Sequence, residues 1–219
     1  MSFDRLAPHY RWLEAVLAGG KLQQCRVAWL NEAQHCRRAL VVGEGNGRFL
    51  AACAKRLPET HFTVVDSSAR MLELAQTNWL HAGGTASHAA FVHAVLPGLN
   101  LSSGSFDLIV THCVLDCFQS DQLAQVISEL AELATPDATW LITDFAVPER
   151  GLARWRAQII LWLAYTFFRL TTDISACSII APAPWLESAG FARKRSLQKE
   201  WGLLYSELWQ RETMRPLTS

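Results

Sequence analysis

The chain has no surplus of charge of either sign: its 219 residues carry 20 Lys and Arg against 20 Asp and Glu. A nucleic-acid binder needs an excess of cations to meet phosphates, so that class is excluded. The six cysteines, Cys25, Cys36, Cys53, Cys113, Cys117 and Cys177, form no CxxC pair and no cluster at zinc-ligand spacing. Neither a metal site nor a disulfide framework is expected, and scattered free thiols fit a reducing cytoplasm. The opening "MSFDRLAPHYRWLE" lacks an apolar core and already holds acids, so it does not read as a secretory signal. Internal repeats and low-complexity segments are also missing. The longest apolar stretch, "AQIILWLAYTFFRL" over 157–170, follows Arg154 and Arg156 and contains Arg169, leaving 12 uncharged residues. A bilayer span needs about 20. The stretch reads as a buried or pocket-covering helix, with peripheral contact at a membrane surface as the second reading and pairing of two copies into a homodimer as a third.

Half of the residues are hydrophobic and nine are Trp, enough for one domain with a full core. Two helices are expected over 2–31, broken at Gly19-Gly20. Strands and helices then alternate: a strand over 38–42, a helix over 47–57 stopped by Pro58, a strand over 61–66, and a helix over 68–81 capped by Ser67 or Ser68. Strands over 89–93 and 106–111 follow, then an amphipathic helix over 121–133. Pro136-Asp137 turns the chain into a fifth strand over 139–145. The apolar helix, a short helix ending at Gly190, and a strand pair over 192–197 and 203–209 complete the chain. Such alternation implies a parallel sheet with helices on both faces. The single domain divides into a cap (1–36), a core (37–145), a helical cover (146–189) and a C-terminal strand pair (190–219).

In such sheets ligands bind beyond the carboxyl ends of the strands. That rim gathers the turn in "ALVVGEGNGRFL" together with Asp66, His93, His112 and Asp144. Gly43, Gly45 and Gly47 let a backbone approach a ligand at a helix N-terminus, where free N–H groups favour a phosphate or a carboxylate. The pattern is GxGxG. The dinucleotide fingerprint GxGxxG has its third glycine where this chain has Arg48, and no GK[ST] follows for a P-loop. The turn therefore suits a nucleoside without a pyrophosphate. Asp66 ends the next strand, where a carboxylate accepts from both ribose hydroxyls; the plainer reading is that it caps the following helix.

"ALVVGEGNGRFL", "FTVVDSSARMLELAQ", "GSFDLIVTHCVLDCF" and "SELWQR", with the opening "FDRLAPHYRWLE", resemble a class I S-adenosylmethionine-dependent methyltransferase of the small-molecule type that includes quinone-biosynthesis enzymes. The likeness covers residues 3–145 well and the tail loosely. It implies an α/β, Rossmann-like, seven-stranded, mostly parallel sheet whose last strand is antiparallel, with helices on both faces and an N-terminal helical cap. It implies S-adenosylmethionine as cofactor and S-adenosylhomocysteine as product. Gly43, Gly45 and Gly47 would meet the methionine part, Asp66 the ribose, and Ser67 and Met71 the adenine, with His93 and Ala94 on the adenine side. His112 would face the sulfonium and Tyr10 would close over it. Two departures stand out. Val41 holds the place where most relatives carry an acid, and "FVHAVLP" lacks the Asp that often meets the adenine amine. Glu44 is either a replacement charge for the ligand's ammonium or a solvated turn residue.

Methyl transfer from a sulfonium is an in-line displacement that needs positioning and desolvation more than a base. If a base acts, His112 and Asp144 are the candidates, with His9 a third. Asp116 either touches substrate or starts the next helix. The acceptor, a small lipophilic or aromatic molecule methylated at O or C, is expected between the cap and the helix holding Trp155, Trp162, Tyr165, Phe168 and Arg169. Two rivals stand beside this reading. One is a protein that binds the same cofactor without methylating. The other is a nicotinamide-dependent oxidoreductase, disfavoured by Arg48.

Overall fold

The computed structural model describes residues 20–171 and 180–212, with only the backbone described over 162–171. Residues 20–26 are helical and 27–35 form turns. The alternating core comprises β1 (Arg38–Val42), α1 (Arg48–Arg56), β2 (His61–Asp66), α2 (Ala69–His81), β3 (Ala89–His93), β4 (Phe106–His112), α3 (Ser120–Leu133) and β5 (Ala134–Phe145). Then come α4 (Gly151–Thr171), α5 (Ala183–Ser188), β6 (Phe191–Lys199) and β7 (Leu204–Arg211). The strands form one sheet in the order β3-β2-β1-β4-β5-β7-β6. β1 to β5 pair in parallel, and β7 runs antiparallel to both of its neighbours.

The sequence pattern explains this layering. β1 and β4 are near-continuous apolar runs, as strands covered on both faces must be. Their alternation sends Leu40, Val42 and Ile109, with Trp140 and Ile142 of β5, to the face covered by α3 and α5. Ala39, Val41, Leu108, Val110 and Leu141 face α1 and α2. α3 buries Leu123, Val126, Ile127 and Leu130, one stripe at helical spacing. The indole N–H of Trp140, fully buried, donates to Thr111 Oγ1 at 3.0 Å, so its polar end is not left unpaired. From β1 the chain passes outward through β2 and β3, then returns to β4 on the other side. This reversal opens the crevice at the carboxyl ends of β1 and β4.

Two expectations need correction, and the open choice of helix cap is resolved. β5 begins at Ala134, not at 139: Phe106 pairs with Ala134 and Leu108 with Thr139, and the offset between them absorbs Pro136, which has no N–H for a regular ladder. Residues 136–137 thus lie inside an irregular strand rather than turning the chain. Ser68, not Ser67, caps α2, its Oγ accepting from the Met71 N–H at 3.2 Å. Of the two N-terminal helices, the first lies outside the described residues.

The 20–26 helix is tied to the sheet beneath the crevice. Thr143 Oγ1 donates to Ser206 Oγ at 3.0 Å, and Ser206 Oγ donates to the Cys25 carbonyl at 2.8 Å. All three residues are buried. Ser206→Ala strands the Thr143 hydroxyl and the Cys25 carbonyl without partners, which costs about 1–3 kcal/mol for groups shut away from water. Urea unfolding should show a loss in that range; an unchanged midpoint would mean that this link does not hold the helix.

Candidate functional site

Gly43, Gly45 and Gly47 adopt φ of +66°, +64° and +80°, the left-handed region that other residues resist. The Gly43 N–H donates to the Val65 carbonyl at 2.8 Å, so the turn leaves the sheet directly from the β1–β2 ladder. A Cβ on Gly43 would stand 2.1 Å from Val114 Cγ2, and one on Gly47 would stand 2.6 Å from Ala75 Cα of α2. The bareness at 47 therefore serves the close packing of the turn on α2.

Glu44 is not a solvated turn residue. It is 4% exposed. Its Oε1 accepts from the Phe49 N–H at 2.9 Å and from the Leu50 N–H at 3.0 Å. The helix N-cap, Gly47, has no side chain with which to cap α1. Glu44, reaching forward from the turn, takes the orphan amides instead. Burial raises its pKa to about 7, against the opposing pull of those amides and of Arg26. The N-terminus of α1, expected to be free for an anion, is thus occupied by the chain's own carboxyl.

Asp66 stands at the end of β2, beside the turn. Its Oδ2 accepts from the Gly45 N–H at 3.2 Å and its Oδ1 from the Ser68 N–H at 2.9 Å. Burial raises its pKa, offset by the amides of Ser68, Gly45 and Ser67 and by His93. His93 lies opposite Asp66 in the β2–β3 register. Its Nε2 is 3.0 Å from the Ser67 carbonyl oxygen, the geometry of a donated hydrogen bond in the Nε2–H tautomer. The Ala94 N–H donates to the Asp66 carbonyl at 3.2 Å, and Met71 is buried in the first turn of α2. Gly45, Asp66, Ser67, His93 and Ala94 are therefore brought together along one edge of the crevice.

His112 ends β4 and packs edge-on against Phe49, with ring centroids 4.6 Å apart. Burial, then Arg26, holds its pKa well below the ordinary histidine value, so the ring is neutral. Both of its nitrogens are buried without a hydrogen-bond partner, as are Asn46 Oδ1 and Gln23 Oε1. Gln23 Nε2 donates to the Arg48 carbonyl, and Asn78 Nδ2 of α2 donates to the Asn46 carbonyl, so both orphaned amide oxygens belong to groups held at the turn. Unmet polar atoms thus surround the glycines. Gln23, Arg26 and Asn78 were not singled out from the sequence, because no motif marks them, and Asn46 was passed over between the glycines; only the fold carries the 20–26 helix to this place.

On the other face of the sheet, Asp144 ends β5. It is 1% exposed, and its Oδ2 accepts from the Asp116 N–H at 3.2 Å and its Oδ1 from its neighbour Phe145 N–H at 2.9 Å. Burial and the Asp116 carboxyl push its pKa well above the usual carboxylate range. Tyr205 lies directly opposite Asp144 in the β5–β7 register, its phenol pKa raised by burial and by the same acids. Cys113, at φ +56°, makes the strained corner that leads from β4 to Asp116. Val110 and His112 face the α1 side while Ile142 and Asp144 face the α3 side, so the two candidate bases point away from each other. Tyr10, His9 and the side chains of Trp162, Tyr165, Phe168 and Arg169 lie outside the described residues. Trp155, expected in a pocket or core, is 69% exposed. Among the described residues no group of three His, Cys, Asp or Glu is placed to hold a metal ion.

Glu44 generates a pH dependence with a definite sign. Folded, it keeps its proton up to about pH 7; unfolded, it loses it near 4.5. The folded state binds more protons between these values, so stability falls as pH rises through that window. Glu44→Gln removes this share, a difference in slope of up to about 1.4 kcal/mol per pH unit. Denaturation between pH 4.5 and 7 measures it; equal slopes in the two proteins would contradict the buried carboxyl.

Residues 39–137 match the family model described as a methyltransferase domain. A search of curated proteins finds no match. Among solved structures, an O-methyltransferase family protein from Burkholderia thailandensis aligns with a TM-score of 0.71 at 18% identity, covering 98% of this chain and 64% of that one. The mitomycin 7-O-methyltransferase MmcR aligns at 0.68 and 21% identity, covering 97% and 61%. The N-methyltransferase NodS from Bradyrhizobium japonicum WM9, in complex with S-adenosyl-L-homocysteine, aligns at 0.64 and 16%, covering 92% and 97%. The chain spans 64% and 61% of the length of the first two, and likenesses at these identities show the fold. Residues 39–137, which hold the glycine turn and strands β1 to β4, thus match a methyltransferase domain, and the seven-stranded sheet has the fold of these methyltransferases.

Proposed function

We propose that this protein moves a methyl group from S-adenosylmethionine to an oxygen or carbon of a small lipophilic or aromatic acceptor. The observation that carries the cofactor choice is Glu44. A dinucleotide would set its pyrophosphate on the N-terminus of α1, and there the Glu44 carboxyl already takes the Phe49 and Leu50 amides. A nucleoside without phosphates needs no such place. The nicotinamide alternative loses its anchor on the same ground.

When bound, the cofactor supplies a methyl group on a cationic sulfur, ready for in-line displacement. The chain's residues do the rest. Asp66, held in place by Gly45 and Ser68, keeps lone pairs free for a ribose diol. Ser67, Met71, His93 and Ala94 flank the base, and Gly43, Gly45 and Gly47 keep the floor clear. The orphaned atoms of Asn46, Gln23 and His112 fit the polar amino-acid end of such a ligand. His112, held neutral, hydrogen-bonds rather than gathers protons. Asp144, with Asp116 beside it, is the candidate base: its raised proton affinity makes the ionised carboxylate a stronger acceptor of a proton from the methyl acceptor. α4 covers the acceptor side. Five cysteines among the described residues are free thiols, which supports a reducing, cytoplasmic setting. The neighbours bear on the choice of acceptor atom only loosely, since their names include both O- and N-methyltransferases.

Val41, buried in β1 where most relatives have an acid, favours one second reading: a protein that binds the cofactor without transferring its methyl. Calorimetric titration with S-adenosylmethionine, S-adenosylhomocysteine and NADH separates the readings, and the first two alone should bind. Asp66→Ala should weaken both about tenfold to a hundredfold, the worth of hydrogen bonds to a charged carboxylate. Tight binding of NADH alone, or an unchanged Asp66→Ala affinity, would overturn the cofactor assignment. With labelled cofactor and a panel of phenols and quinols, Asp144→Asn should lower turnover about a hundredfold or more while leaving S-adenosylhomocysteine affinity intact. Equal turnover would remove Asp144 as the base; no transfer to any member despite tight binding would favour the second reading.

A further inference from the structure

The outward face of α4 is built the wrong way round for water. Leu152, Trp155 and Ile159, three and four residues apart on one stripe, are 81%, 69% and 57% exposed. The opposite stripe, Ala157 and Leu161, is already buried against Leu203 and Phe145. The helix is thus apolar on two sides, and only one of them is used by the described core. Beside it Trp201, 71% exposed, is held out at φ +58° by the turn between β6 and β7. Arg156 joins the two: its guanidinium pairs with Glu200 at 2.7 Å and lies 5.7 Å from the Trp201 ring centroid.

Charge says what this surface meets. Arg150 precedes the helix, Arg154 and Arg156 are on it, Lys21 pairs with Glu200 and Lys199 adjoins Glu200 in the chain, against Glu149 and Glu200. Glu200 is itself bridged by Lys21 and Arg156. In a chain of zero net charge this is a local cationic excess. A two-fold pairing of copies through the stripe would set these cations against their own images, which costs rather than stabilises. A surface of anionic phospholipid offers opposite charge to the arginines and an apolar layer to Leu152, Trp155, Ile159 and Trp201. Tryptophan and arginine are the side chains that settle at such a boundary. No described helix is long and apolar enough to cross a membrane, so the contact is superficial.

We propose that the exposed face of α4, with Trp201, docks this protein on anionic phospholipid membranes. The buried side of α4 packs on Phe145, next to Asp144 at the carboxyl end of β5, so docking holds the rim of the site near the bilayer surface. A lipophilic acceptor then reaches the site from the lipid phase. The docking itself rests on the surface alone and stands whichever acceptor is methylated.

Co-sedimentation of the whole chain with vesicles tests it. One set is phosphatidylcholine alone; the other is an equal mixture with phosphatidylglycerol. The protein should partition onto the mixed vesicles at least about tenfold more strongly, and high salt should weaken this. The pair Leu152→Ser with Trp155→Ser should lose about tenfold or more. Arg150→Gln and Arg154→Gln should each lose about fivefold. These side chains are exposed, so thermal unfolding and S-adenosylmethionine affinity serve as folding controls, and the arginine variants keep the test decisive should the apolar pair unfold. Absence of binding to either vesicle, equal binding to both, or a dimer in solution that the Trp155→Ser change dissociates without any vesicle binding would overturn the proposal.

Discussion

A single carboxyl folded back on its own turn sets the character of this site. Glu44 sits between two glycines, reaches forward and takes the amides of Phe49 and Leu50 that Gly47 cannot cap. Without it α1 would begin with orphan donors facing a crevice; with it the helix starts cleanly and the turn keeps its left-handed course. Hydrogen bonds from amides to a charged group contribute about 1.5–3 kcal/mol each, and burial of the carboxyl opposes them. A pKa raised to about 7 shows that burial outweighs them, so the carboxyl keeps its proton more readily than in water. The device has a functional corollary. A helix whose N-terminus is capped from within has no place for a phosphate, and a nucleoside must be held by other means. In the proposed reading Asp66, which accepts from Gly45 and is anchored by Ser68, is that means.

The rest of the rim repeats the theme of acids kept from water. Asp144 and Asp116 lie together at the carboxyl ends of β4 and β5, beside Tyr205 and Cys113. Their mutual repulsion and burial destabilise the fold at higher pH, a cost that a purely structural corner would not need to carry. On the other face, His112 is kept neutral against Phe49 with neither nitrogen bonded. The two faces thus offer different chemistry to one crevice, a weak acid–base pair on one side and unmet hydrogen-bonding groups on the other. The sheet makes this arrangement unavoidable, because successive residues at the strand ends alternate in direction.

Much of the fold was legible from the chain. β1, β2 and β3 lie where apolar runs between turn residues put them, and α3 where its stripe predicts. Strand boundaries slipped where local chemistry was overridden by tertiary pairing: Pro136 reads as a turn, yet β4 recruits Ala134 across an irregular register. The glycines and Asp66 stood out as a candidate site because their spacing is itself the signal, and the fold brings Asp66 into a hydrogen bond with Gly45. Of the two readings of Glu44, the solvated one falls, since nothing in the sequence tells whether a carboxyl in a turn points to solvent or to the next helix. Gln23, Arg26 and Tyr205 were invisible because they meet the site through packing alone. Trp155 was misplaced for a related reason: an apolar helix has no inside until its neighbours are known, and this one turns Trp155 outward.

The central claim is that the turn is preformed: Glu44 holds it shut, and the nucleoside arrives on a surface already shaped. A crystal structure with S-adenosylhomocysteine tests this directly. The account predicts that residues 43–50 keep their course, that Glu44 still receives the Phe49 and Leu50 amides, and that the ribose hydroxyls rest on Asp66. A turn that unwinds to release Glu44, with its carboxyl moved onto the ligand, would contradict it.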